Sequence, residues 1–177
     1  ADRVWDEEQP MTREQIETMH GEDEVHFVRL MLVVVEKNFE LQEGHPDRKW
    51  KARIVLRGDD VQDQDGNSAI FEQLNTCPAT LEAAKVADIV GSQPGWVCQQ
   101  SDAVMAFVQA EMKGKPTYVK LLPELQPDHW PKGPELWVPL RMALYGHPHA
   151  SGIWEEHCHT QVVKAGWKPI ENWPSCY

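Results

Sequence analysis

The chain has 177 residues, and a hydrophobic fraction of 41% is enough for one globular domain with an apolar core. Its formal net charge of −11 argues against a broad electrostatic surface for nucleic acid. Apolar runs are too short for a membrane span and residues 1–24 lack the features of a signal peptide, so we expect an intracellular, non-membrane protein with free cysteines.

Charge is unevenly distributed along the chain. Residues 1–24 contain nine Asp or Glu against two Arg, and we expect them to form an acidic, poorly ordered lead-in to a domain spanning residues 25–177. Within this lead-in, Thr12 is a candidate N-cap for a short helix that ends near His20. The sign reverses over residues 48–57, which contain five basic residues and no acid.

The basic stretch lies in a predicted β-hairpin. Residues 25–36 and 50–57 are rich in β-branched and apolar side chains, and the segment between them contains Gly and Pro. Lys51, Arg53 and Arg57 alternate along the second strand and share one of its faces. Such a face can bind a triphosphate or a template backbone, and it is equally typical of a solubilising edge strand.

The remainder of the chain alternates between helical and extended patterns. Helical spacing of apolar residues predicts a helix over residues 79–90, with Thr80 as its N-cap, and another over 150–165 that Gly166 ends. Strands are predicted at 95–101, 117–122 and 135–140, with a short helix over 103–112. Together these elements predict a mixed fold, α/β or α+β.

Asp102 directly follows the predicted strand at 95–101 and precedes the aromatic Phe107 by five positions. Nucleotidyl transfer uses two divalent ions about 3.5–4 Å apart, and hard ions such as Mg²⁺ bind carboxylate oxygens. A carboxylate at a strand end can supply one of these ligands, as in the palms of polymerases. Considered alone, an Asp in this position is more often a helix N-cap.

Asp59 and Asp60 follow Gly58, as in the Gly-Asp-Asp sequence of some polymerases. The paired aspartates of a palm come after the first metal-binding aspartate, whereas this pair precedes Asp102. Because the pair also opens a polar loop, a solvated turn is the favoured interpretation.

The same loop partly matches a calcium-binding loop, with Asp63, Asp65, Gly66 and, at the closing position, Glu72. Val61 occupies the position of the first ligand, where a carboxylate is required. The preceding element is also a predicted strand instead of a helix, so calcium binding is disfavoured.

A group of soft ligands is found near the C-terminus of the chain: His147, His149, His157, Cys158 and His159. Zinc sites use paired ligands at set spacings together with ordering hydrogen bonds. The last three are consecutive on a predicted helix and cannot all face one ion, which favours surface or capping histidines over a zinc site.

Four stretches, taken in order, resemble the reverse transcriptase of copia-type retrotransposons. They are residues 51–58 (KARIVLRG), 101–107 (SDAVMAF), 118–124 (YVKLLPE) and 140–146 (LRMALYG), followed by Trp154 in the next helix. Each stretch is short, and the ordered set with suitable spacing carries the resemblance. It extends over residues 25–177 and implies an α+β fold, in which the chain supplies the fingers and part of the palm of a right-hand polymerase.

The resemblance implies roles for individual residues. Asp102 matches the first catalytic, metal-binding aspartate, with the carbonyl of Ala103 beside it, and the expected metal is Mg²⁺ or Mn²⁺. Phe107 matches the aromatic gate under the incoming sugar. Further substrate contacts are implied for Lys51, Arg53 and Arg57 with the triphosphate, and for Gly146 with the template. The implied partners are an RNA or DNA primer–template, deoxynucleotides and the remainder of a polyprotein.

Two departures from the family pattern affect this expectation. After Gly146 the family commonly has a basic, Gln-containing segment, whereas this chain has His147, Pro148 and His149. The Tyr-x-Asp-Asp hairpin of the family would follow Tyr177, so the sequence predicts a polymerase fragment that is inactive alone. The alternative is a non-enzymatic module, derived from a retroelement, that binds nucleic acid or protein.

Overall fold

A computed structural model describes residues 4–71 and 76–177. The elements are α1 (Arg13–His20), β1 (His26–Lys37), β2 (Lys49–Leu56), α2 (Leu81–Gly91), β3 (Thr117–Lys120), β4 (Val138–Pro139) and α3 (Ala150–Lys164). Single 3₁₀ turns lie at Phe107–Gln109 and Pro123–Leu125. The mixed α+β class predicted from the sequence is confirmed by this architecture.

The four strands form one mixed sheet in the order β2-β1-β3-β4. β1 pairs with β2 in an antiparallel hairpin, as predicted, and with β3 in parallel. The core lies where β1, β3 and β4 meet, because Val28, Val119 and Val138 are neighbours in the ladder and fully buried. The second half of β1 extends beyond this core, so the hairpin projects with most of its side chains exposed or half-buried.

Residues 4–24 pack against the sheet, which differs from the poorly ordered lead-in that their charge suggests. Helix α1 begins with a capping box, in which the Thr12 hydroxyl accepts from the Gln15 N–H and the Gln15 side chain accepts from the Thr12 N–H. Ile16 is fully buried with Phe27 and Trp137. Val4, Trp5 and Met11 also pack against the buried clusters, so several apolar side chains anchor this otherwise polar segment.

The region from residue 95 to residue 112 contradicts two sequence predictions. No strand forms at 95–101, where the chain is exposed and pairs with no described strand. The helix predicted over 103–112 is also wrong, since only the 3₁₀ turn at Phe107–Gln109 forms. Met105 has a φ of 53°, a left-handed conformation that a continuous right-handed helix does not contain.

Helices α2 and α3 begin and end where their local sequence signals predict. The Thr80 hydroxyl accepts a hydrogen bond from the Ala83 N–H at 3.2 Å, which confirms the predicted cap of α2. α3 ends before Gly166, which has the left-handed φ of 99° expected of a helix terminator. β3 and β4 are shorter than predicted. Among the described helices, none combines the length and apolarity needed to cross a membrane.

Candidate functional site

The hairpin carries a basic face made of four residues, Lys37, Lys49, Lys51 and Arg53. Residues two apart on a strand share a face, and residues directly opposite each other across a ladder do as well. In the register of β1 and β2, Lys37 lies opposite Lys49, while Lys51 and Arg53 lie opposite valines. The ladder therefore adds two lysines to the cations that alternation within the sequence identifies.

Electrostatic interactions link this basic face to Asp102. The pKa of Lys51 is lowered, chiefly by the charge of Arg53, then by that of Lys37 and by desolvation, while the Asp102 carboxylate acts in the opposite direction. Asp102 therefore lies within electrostatic range of Lys51, although the two residues are far apart in sequence. The candidate metal ligand thus interacts electrostatically with one of the candidate phosphate ligands.

The segment around Gly146 packs directly on the end of β2. The Leu56 N–H donates a 2.7 Å hydrogen bond to the carbonyl of Tyr145. Gly146 has a φ of 92°, and a Cβ atom there would lie 2.0 Å from the Leu56 carbonyl oxygen. A Cβ on Gly58 would lie 1.9 Å from the carbonyl oxygen of Gly146. Two glycines thus allow the two backbones to approach more closely than side chains would permit.

Phe107 is connected to this junction through Tyr145. The centroids of the two rings are 4.3 Å apart with an interplanar angle of 56°. Phe107 also packs against the small cluster formed by Ala110, Ala143 and Ile153, which joins its 3₁₀ turn to α3. The Phe107 side chain is half-buried, so part of its surface remains available for contact.

The residues present do not complete a magnesium site. Asp102 and Ala103 are both exposed in an irregular segment. Within residues 4–71 and 76–177, no group of three or more His, Cys, Asp or Glu is arranged to hold a metal ion. Two-metal chemistry needs several carboxylate oxygens. Asp102 can supply one ligand, and the described residues do not provide the others.

Arg57 is placed differently from Lys51 and Arg53. It follows the end of β2, and its guanidinium pairs with Asp59 at 3.4 Å and with Asp60 at 3.8 Å. These carboxylates offset its charge, so Arg57 is a weaker phosphate ligand than its position in the sequence suggests. The pairs also account for Asp59 and Asp60 as residues of a turn.

The loop that partly matches a calcium site is closed by hydrogen bonds within itself. Oδ1 of Asp63 accepts from the backbone N–H groups of Asp65 and Asn67, at 2.9 and 2.8 Å. Glu72, the closing position of the calcium pattern, lies outside the described residues. The carboxylate of Asp63 therefore acts as a turn-forming acceptor.

The five soft ligands near the C-terminus do not come together. His157 stacks on Trp154, and His159 hydrogen-bonds to the Tyr177 hydroxyl at 2.9 Å. His147 and His149 instead line a separate pocket and contact the ring of Phe71. The zinc arrangement considered from the sequence is therefore not formed by the described residues.

Sequence reasoning missed three participants in these arrangements. Lys37 and Lys49 are revealed by the hairpin register, which could have been guessed by placing the two strands in an antiparallel ladder. His26 reaches the histidine pocket from the start of β1. No local pattern associates His26 with residues more than a hundred positions later in the chain.

Comparisons with known proteins leave the family of this chain open. No family model, no curated protein and no solved structure matches it. The ordered sequence stretches, and the geometry that brings parts of them together, are therefore the observations that bear on function.

The buried histidines predict a loss of stability in mild acid. Burial lowers the pKa of His147 to about 3, and burial also lowers the pKa of His26 against the opposing effect of Glu24. Between pH 6.5 and pH 3 the unfolded chain binds protons on these histidines that the folded chain does not. The free energy of unfolding therefore has its full value above pH 6.5 and declines as the pH falls toward 3. His147 alone is expected to lower the free energy of unfolding by about 2 kcal/mol at pH 5.

Urea unfolding at pH 7.5 and pH 5.0 measures this effect. In the His147→Gln variant the difference between the two pH values should shrink by about 2 kcal/mol. His129→Gln, which changes an exposed histidine, should leave the difference as in the wild type. If His147→Gln keeps the wild-type difference in unfolding free energy between the two pH values, His147 is not the source of the acid sensitivity.

Proposed function

We propose that this chain is part of a copia-type reverse transcriptase and supplies the fingers strands and the first half of the palm. The activity class is RNA-directed DNA polymerase, in which a primer 3′-hydroxyl is extended on a nucleic-acid template. The observation that carries the proposal is spatial. Asp102 interacts electrostatically with Lys51, which lies beside Arg53 on β2, and the Tyr145–Gly146 segment that contacts Phe107 packs on the end of the same strand.

The basic face supplies the first function of such a site, which is to bind phosphate. Lys37, Lys49, Lys51 and Arg53 form charge-assisted contacts with phosphate oxygens most effectively where several cations are close together. The mutual repulsion that lowers the pKa of Lys51 is relieved when an anion binds between the cations. This local concentration of charge is compatible with an overall acidic chain.

The open side of Phe107 supports the second function, which is to receive a sugar or a base. Its ring is held in place by Tyr145 and by the cluster that includes Ile153. A positioned, half-buried aromatic ring offers a flat apolar surface for a nucleotide. By resemblance, this ring lies under the sugar of the incoming nucleotide and disfavours a 2′-hydroxyl.

A non-enzymatic binding module is the second candidate function. It is favoured by the absence, among the described residues, of carboxylates that complete a metal site around Asp102. The histidines after Gly146 support it as well, because they are turned into a pocket and add no cation to the template path. A module that binds nucleic acid shares the binding prediction with the polymerase, a module that binds protein does not, and only the polymerase predicts catalysis once further carboxylates are provided.

Filter binding of a primer–template across a salt series tests the shared prediction. The Lys51→Ala/Arg53→Ala variant is expected to bind at least tenfold more weakly, with a slope of log K against log salt that is lower by about 2. Lys132→Ala/Lys168→Ala is the matched control, since it removes the same charge from exposed positions outside the basic face. Equal losses in both double variants would refute a specific role for the basic face.

A primer-extension assay with Mg²⁺ and deoxynucleotides separates the two candidates. We expect no extension by the chain alone. Extension that disappears in Asp102→Ala would overturn this expectation and establish the enzyme. Absence of primer–template binding by the wild-type chain would contradict both the polymerase and a module that binds nucleic acid, and would leave only a module that binds protein.

A further inference from the structure

A cavity of about 770 Å³ is lined by none of the residues of the basic face. Its lining comes from four regions, of which the first three are Glu24 and His26 around the start of β1, the loop with Asn67 and Ser68, and the loop with Lys113 and Lys115. His147 and His149 complete it from the segment before α3. A cavity of this size is within the range that proteins use to bind small molecules.

The proton on His147 can be assigned from its hydrogen bonding. The backbone N–H of His149 donates to Nδ1 of His147 at 3.1 Å, so Nδ1 is an acceptor and carries no proton. Burial holds the pKa of His147 at about 3, and the ring is therefore neutral at pH 7. A neutral imidazole has one N–H, and that proton must be on Nε2.

This N–H donor is buried and has no acceptor. The His147 side chain is only 5% exposed, and its Nε2 forms no hydrogen bond with a described residue. Leaving a buried donor unsatisfied costs about 1–3 kcal/mol. Phe71 contacts the rings of both His147 and His149 edge-on, with centroids 5.6 and 4.9 Å away, and this packing limits the freedom of His147 to turn elsewhere.

Metal binding does not explain this arrangement. Coordination through Nε2 requires a lone pair on that atom, whereas the acceptor position of the His147 ring is already Nδ1. The described residues also contain no group of three metal-ligating side chains. An acceptor oxygen is the partner that an N–H requires.

The charged groups of the cavity favour an acceptor with negative charge. Glu24 is already paired with Lys115 and with His26, and both hydrogen bonds lower its pKa. Oδ1 of Asp63 accepts from two backbone N–H groups. Lys113 forms only an exposed pair with Glu156, which water screens, so its charge can be redirected toward a ligand.

We propose that this cavity binds a small anion, a carboxylate or a phosphate, whose oxygen accepts a hydrogen bond from Nε2–H of His147 and is neutralised by Lys113. Lys115, on the same loop, is already paired with Glu24, so the charge available to the anion is that of Lys113. This site does not depend on the proposed polymerase function, since none of its residues belongs to the basic face.

The experiment is an NMR titration of the full chain at pH 7.5 and constant ionic strength, with inorganic phosphate in one arm and acetate in the other. The ring nitrogens of His147 are recorded directly, and the proton is expected on Nε2. We expect the chemical shift of the Nε2–H signal to change with anion concentration and to reach a plateau. Saturation by phosphate alone identifies a phosphate site, and saturation by acetate alone or by both identifies a carboxylate or a general anion site.

Two variants test whether the response belongs to this cavity. His147→Phe, which fills the same space without a donor, should weaken binding at least tenfold, and His129→Phe is the control at an exposed position. Lys113→Gln removes the positive charge without changing the buried rings, and it should also lower the affinity for the anion. A proton found on Nδ1, the absence of any saturable shift, or unchanged binding in both His147→Phe and Lys113→Gln would overturn the proposal.

Discussion

Replacement of Gly146 by alanine is expected to lower the free energy of unfolding by about 4 kcal/mol, which combines left-handed strain with a backbone clash. The φ of 92° disfavours any L side chain, and the new Cβ would lie 2.0 Å from the Leu56 carbonyl oxygen. No flexible side chain can move to relieve this contact, because the opposing atoms belong to the backbone of β2. Urea unfolding followed by tryptophan fluorescence measures the loss.

Gly166→Ala is the matched control for this variant. Gly166 has a similar φ of 99°, yet a Cβ atom at this position would meet nothing within 4 Å. The control should therefore show the left-handed strain alone, about 1–2 kcal/mol. If the two variants lose the same stability, the close approach of the Gly146 segment to β2 is not a feature of the folded protein, and the geometry behind the proposed polymerase site fails with it.

Ile16→Ala is expected to destabilise the protein by about 3 kcal/mol, a typical value for truncation of a buried isoleucine. Ile16 is fully buried against Phe27, Tyr118 and Trp137, which also belong to the core of the sheet. The variant therefore tests whether the acidic N-terminal segment unfolds together with the domain. The measurement is again the free energy of unfolding in urea.

Met19→Ala provides the comparison within the same helix, because Met19 is 57% exposed. It should change stability by no more than about 0.5 kcal/mol. Similar small effects at Ile16 and Met19 would show that residues 4–24 are an appendage that does not contribute to cooperative folding.

The histidines after Gly146 acquire a consistent explanation in the structure. In the sequence, His147 and His149 mark a departure from a family in which a basic segment is common. In the structure they are packed around Phe71 and face a cavity, so they contribute no charge to the surface of the hairpin. The same residue, His147, weakens the expectation of template binding and supplies the donor on which the proposed anion site depends.

The sequence alone was sufficient for elements whose signals are local. The hydroxyls of Thr12 and Thr80 cap the helices that they were expected to cap, and Gly166 ends α3. The β-hairpin was also recognisable, because β-branched residues on both sides of a Gly- and Pro-containing turn favour it. In each case the stabilising groups lie within a few residues of the element, so their effect is present in the local sequence.

Only the tertiary structure decided the segment around Asp102 and the composition of the two sites. Residues 95–101 have the composition of a strand, but a strand is stabilised by a hydrogen-bonded neighbour, and none of the described strands pairs with them. Asp102 interacts electrostatically with Lys51, Gly146 closely approaches Leu56, and His147 and His26 line one cavity, although the residues of each pair are distant in the chain. Such arrangements depend on the path of the whole backbone, which no local preference specifies.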